Sequence, residues 1–287
     1  MPSVLKQLGI ILADIKVKHT IFALPFAIMS AFLAAEGPPA GDKLLWILVC
    51  LFGARNAAMA FNRIADARFD ALNPRTQQRA LPAGKITPGA YWIFLVLSAA
   101  LFVFAAGQLN ALALMLSPVA LCIIFFYSLT KRFTWASHLF LGLALSIAPV
   151  GAWVAVREDI SLVSLVLGAA VVFWLVGFDI LYSCLDVQHD KKHDLHSVPG
   201  RFGVPRALRL ASGSHLLMVL FLLGLMISPL LGWLYLLGVM GVAVLLVFEH
   251  SLVRTDDLSQ VNVAFFNVNG IISLFLMVMV IADCVWL

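Results

Sequence analysis

Nine apolar runs follow one another along the chain, near Ile21 to Ala35, Leu44 to Phe61, Tyr91 to Gly107, Ala111 to Leu129, Ala136 to Val156, Leu162 to Cys184, Leu208 to Ile227, Leu230 to Phe248 and Val263 to Leu287. Most approach the roughly 20 residues that a helix needs to cross the hydrocarbon of a bilayer. A helix satisfies its backbone hydrogen bonds within its own segment, so such a series predicts an all-α, polytopic membrane protein with about nine transmembrane helices. Composition agrees: 62% of the residues are hydrophobic and 12% charged, about half the charged share of a soluble domain. The 287 residues leave no room for a separate soluble domain, so 1–287 is expected to form a single transmembrane domain. A net charge of +4 is spread over the whole chain and forms no basic stripe of the kind that binds nucleic acid. Cys50, Cys122, Cys184 and Cys284 are too scattered for a zinc knuckle or a disulfide framework and read as packing residues.

The N-terminal apolar run, Leu8 to Ala13, is short and is followed by Asp14, Lys16 and Lys18 rather than by a small-residue cleavage site. It reads as a retained segment, not a signal peptide. Val4, Leu8, Ile11, Leu12 and Ile15 recur at helical spacing opposite Lys6, Gln7, Asp14 and Lys18, which predicts a short helix lying in the membrane interface. With nine spans, all but three of the nineteen Lys and Arg fall at the N-terminus and in alternate connections. The exceptions are Lys43 and Arg157 on the other side and Arg55 inside the second run. Positive charge marks the cytoplasmic face, so the N-terminus and the loops after the second and sixth runs are expected to be cytoplasmic.

Those two loops follow the chain's unusual acidic positions. Asn62, Asp66 and Asp70 are spaced four apart at the end of the second run, and Tyr182, Asp186, Asp190 and Asp194 repeat that spacing at the end of the sixth. Residues four apart share a helix face. Asn62, Asp66 and Asp70 each precede Tyr182, Asp186 and Asp190 by the same interval, which suggests an internal repeat. Asp179 follows Phe173 to Phe178 within the apolar run itself, where a carboxylate is costly and points to function. Basic residues follow both clusters, at Arg75, Arg79 and Lys85 and at Lys191, Lys192 and Arg201. Carboxylates alone suit a cation and basic loops alone an anion; together they suit a diphosphate held through a hard divalent ion, Mg²⁺.

At these residues the chain resembles the UbiA superfamily of intramembrane aromatic prenyltransferases. Asn62, Asp66 and Asp70, continuing into Arg75-Thr76 and Arg79 to Gly84, are similar to the family's first motif, and Asp179, Tyr182, Asp186 and Asp190 to its second. Between them, Tyr127 to Arg132 resembles the family's Tyr-x-x-x-Lys-Arg segment. Arg63 stands where many members carry an Asp, and Leu195-His196-Ser197 lacks their lysine before the serine. With His19 to Ala27, these departures look closer to a 4-hydroxybenzoate-like or menaquinone-pathway branch and leave a naphthoate-type acceptor open.

The resemblance implies helices surrounding a central cavity in which a polyprenyl group passes from polyprenyl diphosphate to a small aromatic acceptor, as in respiratory quinone biosynthesis. Asn62, Asp66, Asp70, Asp186 and Asp190 would hold Mg²⁺, while Arg79, Lys131 and Lys191 would meet the diphosphate. Tyr127 and Tyr182 would face the allylic cation, and Asp179 would handle the acceptor. The implied location is a bacterial inner membrane, with the lipid bilayer and the substrates as partners and no obligate protein partner. A transporter would place polar pairs near mid-helix, and a CDP-alcohol phosphatidyltransferase would show one dense acidic motif. His189, His193 and His196 suggest zinc only weakly among so many oxygen ligands.

Overall fold

The computed structural model describes residues 4–15 and 22–286, and every regular element among them is helical. Lys16, Lys18, His19, Thr20, Ile21 and Leu287, which entered the readings above, lie outside the described residues. In chain order the helices are α1 (Val4–Asp14), α2 (Leu24–Ala35), α3 (Gly41–Leu72), α4 (Pro88–Leu109), α5 (Ala111–Thr130), α6 (Ser137–Arg157), α7 (Leu162–Ser183), α8 (Val187–Lys192), α9 (Val198–Phe202), α10 (Val204–Gly224), α11 (Trp233–Leu252), α12 (Val261–Val263) and α13 (Asn269–Trp286). A 3-10 turn, Cys184–Asp186, joins α7 to α8, and a π turn, Ala264–Val268, joins α12 to α13.

Among the described residues, eight helical stretches are long and apolar enough to span a membrane. The first of the nine runs became α2, whose 12 residues extend about 18 Å against a hydrocarbon core of about 30 Å. It is an interior helix: Phe26, Ala27 and Met29 are fully buried, and it packs against α6 and α13. Helix ends use the chain's own signals. Thr87 caps α4 ahead of Pro88, accepting from the Ala90 N–H, and Ser161 caps α7 by accepting from Ser164. Asn110 accepts from Ala113 at the start of α5 and donates to the Val154 carbonyl of α6 at 2.8 Å. Lys43, one of the two cations expected on the far side, donates to the carbonyls of Leu109 and Ala155 near the C-termini of α4 and α6, where a positive charge is favoured.

Lipid offers no hydrophobic drive between helices, so close approach has to supply the packing. At Gly142 of α6 an added Cβ would sit 2.8 Å from the Val172 carbonyl of α7. Only glycine fits there. The largest core cluster, including Trp174, Leu222, Tyr235 and Leu276, lies among α2, α7, α10, α11 and α13.

Two sequence expectations are corrected by packing. Asp14 does not lie on the outer polar face of α1: it accepts from the Ala80 N–H at 2.9 Å and the Tyr91 hydroxyl and pairs with Arg63 at 3.2 Å. The helix buries Ile11 against α3 and α4, and Asp14 turns inward with it because Arg63 needs a counter-charge. The second acidic cluster is not one regular helix face either. Ser183 Oγ and Cys184 Sγ both donate to the Ile180 carbonyl, and the Cys184 N–H goes instead to Leu181 and Tyr182. This competition with the backbone tightens the helix into the 3-10 turn. Asp194 falls beyond α8 with φ 53°, exposed and off the face it was expected to share.

Candidate active site

A cavity of about 1500 Å³ is walled by α3, α5, α6 and α7. Its polar end is formed by Asn62, Asp66 and Asp70 of α3, Arg79 of the following loop, Tyr127 and Lys131 at the end of α5, and Asp179, Tyr182, Asp186 and Asp190 at the end of α7 and beyond. Its depth is apolar, with Ile47, Phe102, Leu116 and Ile147 among the walls. Of the eleven candidate residues only Lys191 is absent from this lining, being exposed on α8.

Cluster one rides on an unbroken helix. α3 continues past the apolar run to Leu72, so Asn62, Asp66 and Asp70 keep the spacing read from the sequence. Asn62 donates to Asp66 at 2.8 Å and accepts from Arg63 at 3.1 Å. Arg63, the departure from the family pattern, is buried and spends its other contacts on Asp14. Arg79 reaches both oxygens of Asp70 at 2.7 Å.

Cluster two is held from a distance in sequence. Asp186 accepts from Arg75 Nε at 3.0 Å, from a second guanidinium nitrogen of Arg75, and from Asn73 at 3.3 Å. Arg75 also donates to the Tyr182 hydroxyl at 2.6 Å. The guanidinium bridges the loop after cluster one to cluster two. Burial opposes its charge, but Asp186 and Tyr182 outweigh that and push its pKa up. Asp179 pairs with His138 Nδ1 at 2.6 Å, and His138 Nε2 faces the Val198 N–H at 3.3 Å. Taking Nε2 as the acceptor makes His138 a neutral imidazole that donates from Nδ1. Asp179 is thereby fixed as an acceptor facing the cavity.

The third segment locks onto both clusters. Arg132 lies 3.6 Å from Asp66 and donates to the Ala65 carbonyl, and the Lys131 carbonyl accepts from the His196 N–H at 2.7 Å. Burial disfavours a charged Lys131, yet the carboxylates of Asp179, Asp190, Asp186 and Asp66 prevail and raise its pKa above the ordinary lysine value. A lysine held protonated at the mouth of an apolar cavity is suited to an anion.

Among the described residues no three His, Cys, Asp or Glu side chains are close enough to hold a metal unaided. Mg²⁺ seldom needs them, because it takes one or two carboxylates and fills the rest of its octahedron with substrate phosphates and water. Asp190 Oδ2 is buried with no hydrogen-bond partner among the described residues, and such an orphaned acceptor calls for a cation or donor. The hard-oxygen donor set therefore fits Mg²⁺ arriving with a diphosphate. The rings of His189 and His193 lie 4.2 Å apart, but His193 Nδ1 is turned to the His189 carbonyl at 2.9 Å and His196 is exposed, so among the described residues the three do not form a ligand set.

The chain matches the UbiA prenyltransferase family over residues 23–271. It is 33% identical over 239 residues to the 4-hydroxybenzoate octaprenyltransferase of Vibrio parahaemolyticus, covering 83% of each chain. The enzyme of the same name from Cupriavidus pinatubonensis is 32% identical over 252 residues, 86% of each. The apo structure of a UbiA homolog from Aeropyrum pernix K1 superposes with a TM-score of 0.85 at 31% identity, over 93% of this chain and 98% of that one. A UbiA homolog from Archaeoglobus fulgidus bound to DMAPP and Mg²⁺ shares the fold, with a TM-score of 0.74 at 19% identity over 96% and 99% of the two chains. The protein is an integral membrane member of the UbiA prenyltransferase family.

Proposed function

We propose that this protein transfers a polyprenyl group from polyprenyl diphosphate to a 4-hydroxybenzoate-type acceptor in respiratory quinone biosynthesis, with Mg²⁺ as cofactor and release of diphosphate. The observation that carries this reading is the meeting of two carboxylate clusters and a protonated Lys131 over one deep apolar cavity. The names of the relatives support the benzoate acceptor over a naphthoate.

Asn62, Asp66, Asp70, Asp186 and Asp190 would hold Mg²⁺, which on binding would neutralise the diphosphate and make it a better leaving group. Arg75 and Arg79, now on Asp186 and Asp70, would re-pair with diphosphate oxygens, and Lys131 would add a third positive contact. The isoprenoid tail would lie along the apolar depth. The allylic C–O bond breaks with its electron pair leaving on the diphosphate, a ring carbon of the acceptor supplies the pair for the new C–C bond, and the ring proton leaves. Tyr127 and Tyr182 offer aromatic faces to the cation, and Asp179, steered by His138, stands as a proton acceptor. A carboxylate on the acceptor finds a counterpart in Arg55, which lines the cavity and donates to the Ile15 carbonyl at 3.2 Å. The positive-charge asymmetry supports a cytoplasmic-facing site in a bacterial inner membrane, with residues 1–287 acting as one domain.

The test is a reconstituted assay that offers a polyprenyl diphosphate with mixed aromatic acceptors and identifies products by mass. Prenylated 4-hydroxybenzoate formed only with Mg²⁺ is expected. A prenylated naphthoate alone would change the acceptor, and no prenylated ring at all would overturn the reading.

A further inference from the structure

Outside the carboxylate end, the bundle buries a second polar group that the reaction above leaves unused. Trp174 Nε1 of α7 donates to Asn269 Oδ1 at 2.6 Å, and Asn269 Nδ2 donates to Glu249 Oε1 of α11 at 2.6 Å. All three side chains are fully buried. His215 of α10 lies 3.7 Å from Glu249 and over Gly177, where a Cβ would stand 2.1 Å from its ring. Four polar side chains drawn from four helices are an expensive arrangement inside a membrane bundle.

What they surround is the π turn Ala264–Val268, a rare element that often marks functional positions. Asn262, Phe265 and Phe266 line the cavity. On an uninterrupted α-helix Asn269, two turns beyond Asn262, would face the cavity as well. The π turn shifts that phase and delivers Asn269 into the interface between α7 and α11. There its amide also donates to the Ala264 carbonyl at 3.1 Å, satisfying backbone that the turn displaces. On the cavity side the same turn carries Phe265, whose ring centroid is 4.2 Å from Tyr182 and 5.1 Å from Phe178. Phe266 packs edge-on to Phe265 at 4.6 Å. Tyr182 receives Arg75, which holds Asp186. A continuous path thus runs from Glu249 and Asn269 through the π turn and Phe265 to the Tyr182 ring, the aromatic face beside the reacting carbon.

We propose that Phe265 and Phe266 form the wall that excludes water from the allylic cation, and that Asn269 and Glu249 are positioning residues that hold this wall through the π turn. The inference rests on the prenyl-transfer reading. After the C–O bond breaks, the carbon is captured either by the acceptor ring, which loses a proton, or by water, which gives up a proton and yields the free polyprenol. A loosened wall shifts capture toward water.

The experiment uses the full-length protein in liposomes and measures turnover, the ratio of polyprenol to prenylated acceptor, and Mg²⁺-dependent affinity for a non-reactive polyprenyl diphosphate analogue. N269L and F265L are expected to lower turnover about tenfold and to raise the polyprenol share several-fold, with analogue affinity unchanged. E249Q, which keeps an acceptor for Asn269, should preserve the ratio, whereas E249L should shift it. An unchanged ratio in F265L overturns the proposal, and so does a loss of analogue affinity in step with turnover. Should N269L fail to assemble, F265L decides alone. A wild-type protein that prenylates no aromatic acceptor removes the underlying reading and the inference with it; active wild type with undisturbed variants removes only the inference.

Discussion

The two carboxylate clusters share a spacing and differ in what holds them. Asp66 and Asp70 stand on one 32-residue helix, and their neighbours Asn62 and Arg79 come from that helix and its own loop. Asp186 and Asp190 stand where the helix tightens and restarts, and the groups on Asp186 are Asn73 and Arg75, from more than a hundred residues earlier. Cluster one is mainly a local construction, with Arg132, just beyond α5, its contact from a distance, and cluster two is a tertiary one. Changes around cluster one should therefore act on the ligand directly, while changes around cluster two should also disturb its placement.

The largest effects come from removing the carboxylates. Asp66→Ala, Asp70→Ala, Asp186→Ala and Asp190→Ala are each expected to lower turnover at least ~100-fold, about 2.7 kcal/mol in the barrier, with the fold retained. Near-normal turnover after both changes in either cluster would break the symmetry of roles. Next comes the pair beside the clusters: Asp179→Asn should cost about tenfold in turnover, leaving Mg²⁺-dependent binding of the donor analogue intact. If the analogue is lost as severely as in Asp186→Asn, Asp179 belongs to the metal site instead. Arg55→Gln should raise the acceptor KM several-fold, on the order of one charge-assisted hydrogen bond, and leave the donor KM alone.

Two smaller effects sharpen the comparison. Lys131 has a raised pKa, so its proton and the attraction it supplies are fully present below the ordinary value of about 10.4 and are lost only above it. Donor-analogue affinity should show no lysine break between about pH 7 and 10, and Lys131→Met should weaken binding throughout that window. Lys191→Ala, read from the sequence as a diphosphate contact, should change turnover less than about twofold, as exposed charges contribute little. A loss comparable to Lys131→Met would show that α8 moves over the site when substrate binds.

Legibility followed the same divide. The spacing of Asn62, Asp66 and Asp70 survived because α3 is regular, and the apolar runs became helices because nothing else satisfies their backbones in lipid. The partnership of His138 with Asp179 left no local trace, since it joins residues 41 apart on different helices. The break at Cys184–Asp186 depends on Ser183 and Cys184 competing for one carbonyl, which helical periodicity does not report. The π turn was equally hidden. An apolar run reads the same whether its hydrogen bonds close over four residues or five, and only the burial of Asn269 among Trp174 and Glu249 reveals it. Arg75, which the sequence marks only as one of the basic residues after the first cluster and a member of its motif, is the strap between the clusters.

The central claim is that both clusters grip one metal-bound diphosphate. Its most direct measurement is the affinity of the wild type, Asp66→Asn and Asp186→Asn for a non-reactive polyprenyl diphosphate analogue, each titrated with Mg²⁺. The account predicts Mg²⁺-dependent binding in the wild type and a comparable loss in both variants. Wild-type affinity retained by either variant, or binding indifferent to Mg²⁺, would contradict it.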